Sequence, residues 1–275
     1  MNKSKFFMVG SDPEAFIRDS SGQLVSAIGL VPGTKWAPHA TPHGSIQHDN
    51  ILAEFNSRPS ASLGDFINNH RLIISDLEDV ITPLGLHLDF IASAMASNEL
   101  LSDPITRIAG CEADFDAWRL CANESAGAAY ASGNLRAAGG HLHISYDQAV
   151  GEPMNRIKMA RALDLVLGVP SVIHDSDSAR RTLYGKAGSF RPKDTLQETP
   201  DPYDGIEYRT LSNFWLRSDD LMSFVYKGVE LCYHNLEALA EQAVFFKDEI
   251  IHIINTGDKE KAITFCSINN IPVGV

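Results

Sequence analysis

The chain has 275 residues, 44% of them hydrophobic and 21% charged, with 35 acidic side chains against 23 basic ones and a formal charge of −12. That size and composition suit a globular protein with a substantial core, and the acidic balance excludes a general nucleic-acid binder, which needs a basic footprint. Four scattered cysteines without a CxxC pair (Cys111, Cys121, Cys232, Cys266) read as reduced thiols. No apolar run approaches the ~18 residues of a membrane span, so the expectation is a cytoplasmic protein with no membrane partner.

In chain order, Phe6 to Ile28 has the pattern of a hairpin, FFMVGSDPEAFI and LVSAIG around the turn RDSSGQ. Pro13 within the first run predicts an edge position or a bulge there. VPGTKWAPHATPHG reads as a Pro- and Gly-rich loop, in which His39 and His43, with His48 just beyond, are ordinary exposed side chains. DNILAEFNS follows as a strand. Asp65 to Ile81 has the apolar spacing of an amphipathic helix, and LHLDFIA reads as a strand. After the GGHLHIS strand, the periodicity predicts a helix over Met154–Leu167, closed by Gly168 with Pro170 just beyond. DSARRTLYGKAGSFRPKD is basic, PDPYDG is a turn and IEYRTLSNFWL is a strand. The last ~60 residues are mostly helical by periodicity, over Asp219–Ala243 and Phe245–Asn255. No repeat or long linker divides the chain. We therefore expect one domain over 1–275, with strands and helices in the mixed order of an α+β protein.

Chemistry-bearing residues recur at i, i+2 on four predicted strands: Asp12 and Glu14, Glu54 and Asn56, His141 and His143, Glu207 and Arg209. A strand has a side-chain period of two, so each pair shares a face, and Ser145 joins the two histidines. One such pair is usually a solvated face; four from distant parts of the chain are harder to explain that way. At ~4 Å and an effective dielectric of ~20, two like charges repel by about 4 kcal/mol, so a face gathering these carboxylates needs a cation or protons. Oxygen ligands with one imidazole suit Mg²⁺ or Mn²⁺ better than zinc. Arg180, Arg181, Lys186 and Arg191 cluster just before the Glu207 strand, and arginine forks match phosphate geometry. There is no Walker A and no GxGxxG, which excludes a P-loop or Rossmann nucleotide site.

These residues also carry a family resemblance. DPEAF resembles the acidic strand of the glutamine synthetases, GGHLHIS their GMHxHxS strand, and IEYRTLSN their late E-x-R strand, in the same chain order. The run of GSDPEAF, AIGLVPGTK, DNILAEFN, GGHLHIS, RRTLYGKAGSFR and GIEYRTLSNFW is similar to the phage-encoded carboxylate–amine ligases, amidoligases of the glutamine synthetase and glutamate–cysteine ligase superfamily. The resemblance covers Gly10 to Trp215 and leaves the helical part over 219–255 without a matching motif.

The resemblance implies a glutamine synthetase-like catalytic fold, with a curved, mainly antiparallel sheet, a concave polar face and helices on the other side. It implies an ATP-dependent ligase that forms an amide through an acyl phosphate, acting on a small-molecule or peptide carboxylate and amine. Glu14 with Glu54 would hold one Mg²⁺ (or Mn²⁺), and Asp12, His141 and Glu207 a second. Arg209 would contact the transferring γ-phosphate. His143, Ser145 and Arg180 would lie beside the nucleotide, where Gly139 and Gly140 let backbone approach it. Arg181, Lys186 and Arg191 would steady phosphate oxygens or the acyl phosphate. Asp49 is a further acidic candidate, and Arg58 a candidate for a substrate carboxylate. Asp12 stands where the family more often has glutamate. The sequence starts close to the first of these strands, so a small N-terminal domain of the glutamine synthetase kind is not expected, although an oligomer is compatible with it. A phage origin would place the protein in the host cytoplasm. The residues alone leave open a metal-dependent hydrolase on the HxH strand and a non-catalytic binding protein on a ligase scaffold.

Overall fold

The computed structural model describes residues 6–108, 114–124, 127–149, 152–193 and 204–274; Cys111 and most of the PDPYDG turn lie outside them. The fold is α+β, with two principal sheets. One has six strands in the order Phe7–Ser11, Leu142–Tyr146, Gly205–Tyr208, Ser189–Lys193, Phe115–Asp116 and Cys121–Ala122, all antiparallel. In the other, Glu14–Arg18 pairs with Leu24–Val25, His87–Asp89 and Leu52–Ser57, and Leu52–Ser57 pairs with Gly44–Asp49. Its pairings are antiparallel too, apart from one parallel contact between Thr34 and His48.

Asp12–Pro13 is where the chain leaves one sheet for the other. Proline cannot donate to a ladder, and the expected interruption falls there: Val9 exchanges backbone hydrogen bonds with Ser60, whereas the Pro13 carbonyl accepts from the Phe55 amide at 3.2 Å. Asp12 and Glu14 thus sit on either side of a junction and face two different groups of strands.

Helices pack on the apolar faces. Ser62 caps Leu63–Ile81 by accepting from the Asp65 amide at 3.1 Å, and Phe66, Ile73, Leu77 and Ile81 are fully buried. This helix lies on the Gly44–Ser57 hairpin, and Pro153–Leu163 lies on the strands carrying Arg191 and Glu207. Each buried large apolar side chain contributes about 1.5–3 kcal/mol, so the sheets are held from behind and their opposite face is left for polar side chains.

Four elements differ from expectation. IEYRTLSNFWL is a strand only over Gly205–Tyr208 and ends in a short 3-10 helix, Asn213–Arg217, where the Ser212 side chain accepts from the Phe214 amide. The Gly168 stop does not occur: Pro153–Leu163 runs through one π turn, Asp164–Gly168, straight into Val169–His174. The Val169 amide donates to the Asp164 carbonyl five residues back, and this wider turn accommodates Pro170 without ending the helix. The VPGTKWAPHATPHG stretch forms edge strands, Gly33–Thr34 and Ala37–Thr41, where prolines are tolerated. In it His39 is exposed, while the His43 ring bonds Asp76 at 2.8 Å. The C-terminal region divides into Asp219–His234, Leu236–Phe245, Lys247–Thr256 and a further helix, Lys259–Asn269. Among the described residues no helix is long and apolar enough to cross a membrane.

Candidate active site

Alternation on the central strand is as expected. Leu142, Ile144 and Tyr146 are fully buried toward the helices, and His143 and Ser145 face the other way. Register then sets the neighbours: His143 is opposite Glu207 and Gly10, Arg191 is opposite Glu207, and Glu14 is opposite Glu54. Side chains from six segments meet on one polar face. A small cavity of about 90 Å³ beside it is lined by Gly10, Asn56, His143, Ser145 and Lys193.

Two groups of possible cation ligands stand out, each with ligating atoms within 4.8 Å of one another: Asp12, His143 and Glu207, and Glu14, Asp49 and Glu54. Asp12 Oδ1 is 3.0 Å from His143 Nε2 and 3.4 Å from His141 Nδ1. His141 Nδ1 lies 3.6 Å from Glu207 Oε1. Both histidines therefore border the first group, and the expected division, with His141 alone as ligand and His143 beside the nucleotide, is not how the side chains cluster. Asp49 belongs with the second group.

The two groups differ electrostatically. Burial pushes the Glu207 carboxyl up, but the charges of Arg209, His143 and His141 together outweigh it and hold the group at about 2. Asp12 is likewise held well below the usual range against burial, by the charge of His143 and by hydrogen bonds from both imidazoles. Burial and the nearby Arg209 charge lower His141, which favours the neutral imidazole that a metal needs. In the second group every shift is upward. Burial and the Asp49 charge raise Glu14 to about 7, despite its bonds from the Gly139 amide (2.6 Å) and the Tyr184 hydroxyl (3.0 Å). Glu54 is pushed well above its usual value by burial and by Asp12, Asp49 and Glu14. Asp49 rises through burial, against the Lys35 charge. In the first group basic side chains offset the burial of the carboxylates, whereas in the second burial and mutual repulsion favour protons, which a cation would displace.

Basic residues divide sharply. Arg209 is 2% exposed; its guanidinium binds Glu207, donates to Asp114 Oδ2 at 3.1 Å and lies 3.4 Å from His141 Nδ1. Arg191 reaches Glu207 at 3.4 Å. Arg180 does not face the nucleotide side as expected: it is buried and donates to the carbonyls of Ala138, Arg209, Thr210 and Leu211, so it clasps backbone. Arg181 is buried beside Asp175 and Asp177 and donates to the Asp177 carbonyl. Burial with the Arg180 charge lowers it to about 10. Lys186 lines a separate cavity of about 350 Å³ with Asp114, Asp116, Asn123 and Tyr184. Arg58 is exposed and donates to the Pro42 carbonyl at 2.5 Å. Gly139 is needed because a Cβ there would lie 2.3 Å from the His141 ring, so its bareness serves the histidine.

The family model of the phage phiEco32-like COOH.NH2 ligase-type 2 proteins matches residues 123–269, just over half of the chain. The chain belongs to that family. The match holds His141, His143, Ser145, Arg191, Glu207 and Arg209, and it continues through the C-terminal helices, beyond the Trp215 limit of the motif resemblance. Among solved structures the chain is similar to a bifunctional glutathione synthetase from Pasteurella multocida, at 11% identity and a TM-score of 0.42, over 96% of this chain and 49% of that one. It is also similar to a GmaS/ADP complex, at 12% identity and a TM-score of 0.38, over 97% of this chain and 69% of that one. It thus spans about half the length of the first. No curated protein matches it.

Three polar residues in or directly behind this family member's site escaped the sequence reading. Asp114 orients Arg209, and Asn123 donates to its other oxygen at 2.7 Å. Tyr184 bonds Glu14 and lies under the Arg180 and Arg209 guanidiniums, 4.7 and 6.0 Å from its ring centre. Asp164 is the third. Asp164 has no ionisable neighbour two residues away, and Asp114, although it alternates with Glu112 and Asp116, stands in an acidic run that reads as a solvated face.

Proposed function

We propose that this protein is an ATP- and Mg²⁺-dependent carboxylate–amine ligase. The observation that supports it most is one polar face carrying two three-ligand groups, with Arg209 and Arg191 fixed against the Glu207 carboxylate. The residues fit a cation: each group offers three ligating atoms within 4.8 Å of one another, mostly oxygens, and Glu14, Asp49 and Glu54 are gathered with their carboxyls raised by burial, a costly arrangement unless a cation or protons compensate. Asp12, Glu207 and a histidine would hold one Mg²⁺ or Mn²⁺, and Glu14, Asp49 and Glu54 another. When bound, such ions neutralise and align phosphate oxygens.

The side chains would do the rest by position and charge. Arg209, braced by Asp114 and Glu207, presents a guanidinium that needs no reorganisation to stabilise a transferring phosphoryl group. Arg191 and Lys193 extend that positive edge beside His143 and Ser145. A substrate carboxylate oxygen would take the γ-phosphoryl group of ATP, the bond from the γ-phosphorus to the β–γ bridging oxygen would break, and ADP would leave. An amine would then attack the acyl carbon, the C–O bond would break, phosphate would leave, and the nitrogen would lose a proton to give the amide. The carboxylate and amine would be small molecules or peptides met in the cytoplasm.

Incubation with ATP, Mg²⁺ and pools of amino acids and amines, with phosphate release and product mass as readouts, tests this reading. Amide formation with stoichiometric phosphate supports it. A protein that binds no nucleotide but holds zinc tightly would instead be the hydrolase on the HxH strand.

A further inference from the structure

Behind the polar face lies a carboxylate that the ligase chemistry does not use. Asp164 is 0% exposed, in the helix packed on the Glu207 strand. All four of its side-chain partners are donors: Oδ1 accepts from the Tyr208 hydroxyl at 2.7 Å and the Thr210 hydroxyl at 3.2 Å, and Oδ2 from Trp118 Nε1 and the Gly188 amide, both at 2.6 Å. Tyr208 and Thr210 are the residues on either side of Arg209. Strand alternation turns their side chains toward the helix and Arg209 toward the site. Gly188 adjoins Ser189, whose carbonyl accepts from the Arg209 amide at 2.9 Å.

The surroundings are shaped around this carboxylate. Asp164 opens the π turn, a rare element that recurs at functional sites. A Cβ on Gly168 would come within 2.9 Å of the Tyr208 hydroxyl, and Gly188 points its amide at Asp164 from a left-handed conformation, φ +78. The same carboxylate therefore ties together both neighbours of Arg209 and the turn that bonds its backbone.

We propose that Asp164 is a positioning residue for Arg209, holding the Tyr208–Thr210 backbone so that the guanidinium stays seated between Asp114 and Glu207. Its catalytic consequence rests on the role of Arg209 in the proposed ligase; its structural consequence does not. Asp164→Asn is the informative variant, because an amide can still accept from Trp118 and Gly188 while its NH₂ meets hydroxyls that can turn to accept.

The test uses the full chain, ¹⁵N-labelled, with the Arg209 Nε–H resonance assigned by its loss in Arg209→Lys. In folded Asp164→Asn that resonance shifts and its hydrogen exchange accelerates at least about tenfold. Turnover falls by about 10²-fold with KM for ATP little changed, the size of effect expected from a misplaced charge-stabilising group. In an Arg209→Lys background, Asp164→Asn adds no further loss. An unchanged Arg209 resonance, or a loss that multiplies fully with Arg209→Lys, would overturn the proposal. If Asp164→Asn does not fold, Tyr208→Phe combined with Thr210→Val removes the same two contacts and is read the same way. Absence of ATP-dependent turnover in the unaltered protein sinks the ligase reading but leaves the resonance comparison decisive.

Discussion

At the scale of single residues, the two carboxylate groups predict different responses to removing a charge. Glu14→Gln removes a carboxyl that already tends to hold a proton, so the fold should be retained while ATP-dependent phosphate release falls to background. Glu207→Gln should also abolish release, and it leaves Arg209 and Arg191 without their shared anion, at a cost of about 3–5 kcal/mol as for other broken buried pairs. Urea denaturation beside the phosphate assay separates the two effects, and full activity in either variant would remove that carboxylate from the metal set. Arg180 belongs to a different class. Its four carbonyl partners are buried, so Arg180→Met should destabilise by about 3 kcal/mol or more through unsatisfied backbone acceptors. The basic run was visible in the sequence as one cluster, but only burial and partner geometry divide it into a clasp on backbone (Arg180), a buried side chain beside Asp175 and Asp177 (Arg181) and a partner of Glu207 on the polar face (Arg191).

At the scale of elements, the π turn carries the main pH signature outside the polar face. Burial raises the Asp164 carboxyl from the usual 3.8 to about 7, despite its four donors. The unfolded chain releases this proton first, so the stabilising contribution is complete below about pH 3.8, declines as pH rises, and is lost through about pH 7. The stability difference between the unaltered protein and Asp164→Asn should therefore move against the unaltered protein across that window, followed as Tm at half-unit steps. A flat difference would mean that the carboxyl titrates normally. The turn itself was not legible from sequence, because Gly168 and Pro170 are the usual signs of a helix stop. Packing against the strand carrying Tyr208 holds the helix through them.

At the scale of the whole molecule, the site depends on two sheets meeting at Asp12–Pro13, so cation binding should stabilise the global fold. Mg²⁺ or Mn²⁺ should raise Tm in proportion to the logarithm of its concentration above Kd. Glu54→Gln should shrink that shift, and an exposed-site control such as Glu237→Gln should keep it. A shift insensitive to Glu54→Gln would place the ion elsewhere. The strand inventory was mostly legible, because alternation and Gly/Pro punctuation are local. The edge hairpin around Lys35 and Trp36 was not, since its prolines mimic a loop although it pairs with itself and with the next strand, Gly44–Asp49.

By itself, the sequence determined which ionisable residues lie on each strand and which face they share. Asp12, Glu14, Glu54, His141, His143, Glu207 and Arg209 follow from a side-chain period of two, and their motifs already resembled the right family. Only the tertiary structure decided the partners, because register and burial are not local properties. The strand junction at Pro13 sends Asp12 to His143 and Glu207 while Glu14 joins Asp49 and Glu54. The arginines are likewise separated by what surrounds them. Asp114, Tyr184 and Asp164 become parts of the candidate site or its support because folding brings each within hydrogen-bond distance of a group it can hold in place.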